Sequence, residues 1–277
     1  MRLGTRAVAF IIPALLVAAF AFFAFFRPEP NEDLEYLARE DAVLVQMISV
    51  GGLPQPEVLD RLTLPDFTLY GDGTVLYADP SGEEELLQAE IPGGAIQDLL
   101  ESFEGEGFFE FQYEQPTADS VNDADTTYLY AQTKDAANAV SAYALGVFNP
   151  PDGSEWREFE RLAKLKEWLD AFDPEGVGGR VVGPYEATEI ALMAEPIDGD
   201  DTGAVPWPVD EINLASMRPA EGSNVAVRYI PLDEASEAIA ALPSRFAIVS
   251  LRDASYRVGY RQALPFEEHF PEFDFAG

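Results

Sequence analysis

The pattern of apolar and polar positions divides the chain into an N-terminal apolar block and a long body of short alternating segments. Residues 7–26 are an uninterrupted apolar run of twenty residues. A helix of about 20 apolar residues spans the roughly 30 Å hydrocarbon core of a bilayer. Arg2 and Arg6 precede the run, and Arg27, Pro28, Glu29, Pro30, Glu32, Asp33 and Glu35 follow it. Positive charge on the leading side places residues 1–6 in the cytoplasm and the body outside. Two readings of this segment stand. It is an uncleaved signal anchor, or a secretory signal cleaved near the Ala19/Ala21 pair. The run exceeds the usual apolar region of about 7–15 residues for a cleaved signal. Phe22, Phe23, Phe25 and Phe26 also occupy the place of small residues, so the anchor is preferred.

After a polar spacer over 28–41, with a short helix around Leu34 and Leu37, period-two alternation dominates. Strands are predicted at 43–50, 67–70, 74–77 and 86–91, the middle pair forming a hairpin around Gly71-Asp72-Gly73. Pro92-Gly93-Gly94 opens a helix with Ile96, Leu99, Leu100 and Phe103 on one face, and Gly105 stops it. A second hairpin is predicted over 126–133 and 139–145. The strongest helical period lies at 154–172, where Trp156, Phe159, Leu162, Leu165, Leu169 and Phe172 recur at steps of three and four. Asp152 and Glu155 form a candidate capping box ahead of it. Residues 173–184, with four Gly and two Pro, read as a linker. Beyond it, strands are predicted at 186–194, 225–230, 246–251 and 255–262, with a helix at 233–242. Phe266, Phe270, Phe273 and Phe275 are expected to fold back on the body.

This gives an α+β class, with antiparallel hairpins and a few packed helices. The halves are 42–172 and 185–277. Both carry a strand running into Pro and a helix, Ala89-Glu90-Ile91-Pro92 and Arg228-Tyr229-Ile230-Pro231. A strand–helix–strand–strand unit used twice is therefore expected.

Composition then narrows the function. The 277 residues carry 17 Lys and Arg against 50 Asp and Glu, a net charge of −33, with no Cys and one His. Without residues 1–27 the balance is 14 against 50, or −36. Nucleic-acid binding needs clustered cations and is excluded. Zero Cys excludes disulfides, thiol catalysis and cysteine-ligated metals. Self-repulsion of this size calls for screening by salt or bound cations. A saline working environment is preferred, because it needs no special site.

Candidate chemistry is sparse. Asp198, Asp200 and Asp201 could supply oxygen ligands to Ca²⁺, and Asp123 and Asp125 form a weaker set. Neither follows the twelve-residue EF-hand spacing. Asp201-Thr202-Gly203-Ala204 matches an aspartic-protease signature, but it follows a polar loop and has no second copy. Asp72 serves turn geometry, and His269 reads as a surface or packing residue. No nucleophile elbow or Ser-x-x-Lys pair occurs.

Several stretches, in order, resemble a family of uncharacterised exported proteins of high-GC bacteria. They are Val50-Gly51-Gly52, Leu64-Pro65-Asp66-Phe67-Thr68-Leu69-Tyr70-Gly71-Asp72-Gly73, Asn122-Asp123-Ala124-Asp125-Thr126-Thr127, Tyr143-Ala144-Leu145-Gly146, Trp207-Pro208, and Tyr260-Arg261 to Leu264-Pro265. The resemblance covers most of the chain after residue 42. Family members often have Thr-Asp-Ala-Pro at positions 122–125, so this chain departs from them in that loop. The resemblance implies an exported or membrane-tethered protein and no particular activity. The expectation is a non-enzymatic extracytoplasmic body, held to the cell membrane by its N-terminal helix, that binds a protein or ligand. It would be secreted if the signal is cleaved. The alternative is an extracytoplasmic hydrolase using paired carboxylates. No cofactor is expected, apart from the candidate Ca²⁺.

Overall fold

Two sheets carry the fold. In the computed structural model, residues 34–267 are described, apart from 53–55, 83–84, 116–120, 149, 151–152, 154–155, 199–202, 210–211 and 220–222. The apolar segment 7–26, the capping pair Asp152 and Glu155, and His269, Phe270, Phe273 and Phe275 lie outside the described residues. Among the described residues, no helix is long and apolar enough to cross a membrane.

The first sheet has seven strands: β1 (Val43–Val50), β2 (Phe67–Tyr70), β3 (Thr74–Ala78), β4 (Leu86–Glu90), β5 (Thr126–Gln132), β6 (Ala137–Tyr143) and β7 (Arg180–Pro184). Their spatial order is β6-β5-β1-β2-β3-β4-β7, and every pair is antiparallel. The β1 strand is buried on both faces, which explains its nearly continuous apolar sequence. The β2–β3 turn is built as its sequence demands. Asp72 accepts from the Thr74 amide at 2.9 Å and from its hydroxyl at 3.1 Å, and Gly73 takes φ +93°. Helix α1 (Glu57–Asp60) lies between β1 and β2, helix α2 (Gly93–Gly105) follows β4, and helix α3 (Arg157–Asp170) follows β6. Helix α2 buries the stripe its period predicts, and α3 buries Phe159, Leu162, Leu165 and Leu169 of its own, while Trp156 and Phe172 flank it half-buried. Phe172, just past α3, stacks edge-on to Phe67 at 5.1 Å and Tyr77 at 5.5 Å.

The second sheet comprises β8 (Glu189–Ile197), β9 (Val205–Pro206), β10 (Ala226–Pro231), β11 (Phe246–Leu251) and β12 (Ala254–Gln262), in the order β10-β8-β12-β11-β9. Helix α4 (Leu232–Ala241) follows β10. The α+β class with antiparallel-rich sheets is thus observed. The one parallel pair among the described strands is β9 with β11.

Several details differ from the sequence expectation. Residues 35–41 form no helix. They are irregular and seated on the first sheet. The Lys134 amide donates to the Glu35 carbonyl at 2.7 Å, and a Cβ on Gly71 would lie 1.9 Å from the Leu37 carbonyl oxygen. Within the expected linker, Arg180–Pro184 becomes edge strand β7, because the outer side of β4 is free to pair with it. The strand–helix–strand–strand order recurs in both halves, but the hairpins dock differently. In the first half the leading hairpin strand, β5, pairs with β1; in the second the trailing strand, β12, pairs with β8.

The halves also share cores. Val58, Leu59 and Leu62, from the first half, cover Ala191, Met193, Val225 and Ala263 of the second. Gly259 leaves room for Leu62, since a Cβ there would sit 2.9 Å from the Leu62 methyls and push them aside. Conversely, residues 263–267 strap back onto the first sheet. Leu264 and Phe266 pack with Val43, Tyr70, Leu76 and Leu86. Tyr185 donates to the Ala263 carbonyl at 2.8 Å, and Tyr70 to that of Pro265 at 3.0 Å. Consistent with this exchange, Glu35–Gly277 forms one compact unit.

Candidate functional site

One end of the first sheet gathers four of the stretches singled out in the sequence. They are 50–52 at the end of β1, 122–127 at the start of β5, 143–146 at the end of β6, and the leading residues 64–67 of the stretch 64–73, whose Gly71-Asp72-Gly73 turn lies at the opposite end of β2. Antiparallel register brings them together, because Val50 faces Thr126 and Thr126 faces Tyr143. Gly52 permits the closest approach: a Cβ there would lie 1.9 Å from the Ala124 carbonyl oxygen. The Tyr143 hydroxyl accepts from the Ala124 amide at 3.1 Å and donates to the Val121 carbonyl at 3.2 Å. The Ala144 amide donates to the Asp125 carbonyl at 2.9 Å. Asp123 and Ala144 take φ of +60° and +59°, left-handed conformations that residues other than Gly seldom adopt. Backbone strain of this kind clusters at binding and catalytic sites.

Asp66 is the unusual side chain of this end. It immediately precedes β2, whose four residues are fully buried. Burial pushes its carboxyl above the ordinary aspartate value. Opposing this, the Ser49 hydroxyl and amide donate to it and the Lys166 ammonium lies near, while Asp170 pushes it further up. One carboxyl oxygen, Oδ2, is buried without a hydrogen-bond partner. Ser49 is 3.4 Å from the Thr127 hydroxyl across the β1–β5 pair. On α3, Lys166 is held to Asp170 at 2.8 Å. This arrangement offers a carboxyl that keeps its proton to higher pH, two neighbouring hydroxyls and an ion-paired ammonium. It can donate and accept hydrogen bonds toward a polar group. It contains no activated nucleophile.

The residues proposed from sequence for cation binding are separated. Asp123 and Asp125 are exposed in the loop before β5, and Asp125 lies beside Gly51. Asp198 is exposed at the end of β8, in the other sheet; Asp200 and Asp201 lie outside the described residues. Among the described residues, no group of three or more potential ligands is placed to hold a metal ion. Sequence reasoning overlooked Asp66, Ser49 and Lys166. The available signal was an acid between Pro65 and a buried strand, within a stretch already singled out. The two remaining stretches serve the core instead. Trp207 is buried and donates to the Ile212 carbonyl at 2.7 Å, and Arg261 pairs with Glu267 beneath the strap.

The chain matches no protein-family model, no curated protein and no solved structure.

Proposed function

We propose that this protein is an exported, membrane-tethered acidic protein whose α+β body binds a partner or ligand at the Asp66 end of the first sheet. The carrying observation is the convergence of four separate stretches on that end, with left-handed Asp123 and Ala144 and a partly unsatisfied Asp66 among them. Val147, the residue after the fourth stretch, is 71% exposed and offers an apolar contact there. The apolar segment 7–26 supplies the tether. The acidity of the body makes adhesion to an anionic bilayer unfavourable, so the helix alone holds it. The same acidity favours a saline setting; melting temperature should rise from low to molar salt.

Photo-crosslinking tests the binding reading. The full chain, in membranes of its native host, carries a photoreactive residue at Val147 or, as control, at Glu234 of α4. A discrete adduct at 147, absent at 234 and weakened by Asp66→Asn, is expected. Equal labelling at both sites, or none at 147, would sink the reading. The hydrolase alternative draws on one observation, the raised Asp66 carboxyl with Asp170 nearby. It requires a bell-shaped pH–rate profile that loses its acidic limb or its alkaline limb in Asp66→Asn.

A further inference from the structure

The centre of the seven-stranded sheet contains a polar pair that the proposed function does not use. Gln46 on β1 is 2% exposed and Thr68 on β2 is completely buried. The amide nitrogen Nε2 of Gln46 and the hydroxyl Oγ1 of Thr68 have no hydrogen-bond partner. The two residues face each other directly in the β1–β2 register, so their side chains leave the same face of the sheet. Their neighbours on that face are Tyr130 across from Gln46 and Leu76 across from Thr68. The hydroxyl proton of Tyr130 is already given to Gln132, at 2.5 Å. Leu76 and Tyr70 pack with Leu264 and Phe266 of the strap, which closes this face.

A buried donor left without an acceptor costs about 1–3 kcal/mol, and native interiors rarely tolerate two side by side. Directly opposed residues on neighbouring antiparallel strands have Cβ atoms about 4.5–5.5 Å apart. In the structure neither Gln46 Nε2 nor Thr68 Oγ1 bonds the other or any further group, and one oxygen placed between them at ordinary hydrogen-bond distance would serve both. We infer that Gln46 and Thr68 form a binding site for one internal water molecule, which bridges β1 to β2 beneath the C-terminal strap. The water accepts from Gln46 Nε2 and exchanges a hydrogen bond with Thr68 Oγ1. This is the minimum of two partners that an internal water requires.

Thr68→Val keeps the shape of the side chain and removes only the hydroxyl. If a water bridges the pair, the full chain in detergent should lose roughly 2–6 °C in melting temperature, because the water and Gln46 are left with one partner each. In the Gln46→Met background the same substitution should cost less, since the bridge is already gone. A high-resolution crystal structure should place one ordered oxygen within hydrogen-bond reach of both side chains. Unchanged or raised melting with Thr68→Val, equal cost in both backgrounds, or no ordered oxygen at that position would each overturn the inference.

Discussion

Two carboxylates among the described residues, Glu267 and Asp66, are drawn out of solvent at different places in the fold, and their surroundings treat them differently. Beneath the strap, the Glu267 side chain is 9% exposed and fully engaged. Arg261 reaches both of its oxygens, and the Leu264 amide donates to Oε2 at 2.9 Å. At the far end of the first sheet, Asp66 is partly buried, raised above its ordinary value, and left with one oxygen unpartnered. The first arrangement fixes geometry: it ties the exit of β12 to the segment that covers the other sheet. The second leaves hydrogen-bonding capacity unused, which a folded protein retains at some cost in stability. The difference makes Glu267 a structural tie and adds support to the proposal of binding at the Asp66 end.

The comparison can be broken most severely at the strap. Arg261→Leu would leave Glu267 buried and unpaired, at a cost of about 3–5 kcal/mol. For a body of this size the melting temperature should fall by roughly 10 °C. The Arg261→Leu/Glu267→Leu double variant should recover much of the loss, and a double variant as unstable as the single one would deny the pairing its role. Next in size is Gly52→Ala, which drives a methyl into the Ala124 carbonyl. Overpacking of this kind costs about 1–3 kcal/mol. Hydrogen exchange should show faster exchange in 122–127 with little change in the strap.

Glu57 makes an intermediate case. Burial pushes its carboxyl up, but the hydrogen bonds from Ser223, the Asn224 amide and Arg61 together hold it below its ordinary value of 4.5. A depressed folded value contributes stability above the unfolded value and loses it as pH falls through the folded one. Glu57→Gln should therefore cost about 1 kcal/mol at pH 7 and less in acid. Melts of both proteins across pH 3–7 check this. The smallest effect, of opposite sign, belongs to Asp66→Asn. The raised carboxyl is a penalty to the folded state above its folded value, and it is relieved as pH falls toward the unfolded one. The variant should melt slightly higher than the parent at pH 7, with the gain shrinking toward pH 4. A lower melting temperature at pH 7 would make Asp66 a structural carboxylate like Glu267.

Much of the fold was legible along the chain. The Gly71-Asp72-Gly73 turn fixes its own conformation with local bonds, so the β2–β3 hairpin could be read directly. The stripes of α2 and α3 could be read too, since a helix that buries one side must repeat every three or four residues. The strand β7 was not legible. Arg180-Val181-Val182-Gly183-Pro184 has no strand signature of its own, and it pairs only because β4 presents an open edge. Nor was the exchange between halves legible. Leu62 and Gly259 are nearly two hundred residues apart, and nothing local in either requires the other. The candidate site fell between these limits. Its stretches were visible as sequence, but Asp66 looks like an ordinary turn residue until β2 buries it.

The sequence by itself determined the apolar segment, the acidity, the class of fold and the position of most of the longer elements, because these follow from composition and local period; the short helix Glu57–Asp60 and the strands Val205–Pro206 and Arg180–Pro184 were not among them. The tertiary structure decided which elements meet. Antiparallel register carried four separate stretches to one end of one sheet, and packing made one carboxylate a structural tie and left the other unsatisfied. Burial and partnership are properties of the surroundings, so the same residue type acquires its chemistry only when the chain has folded around it.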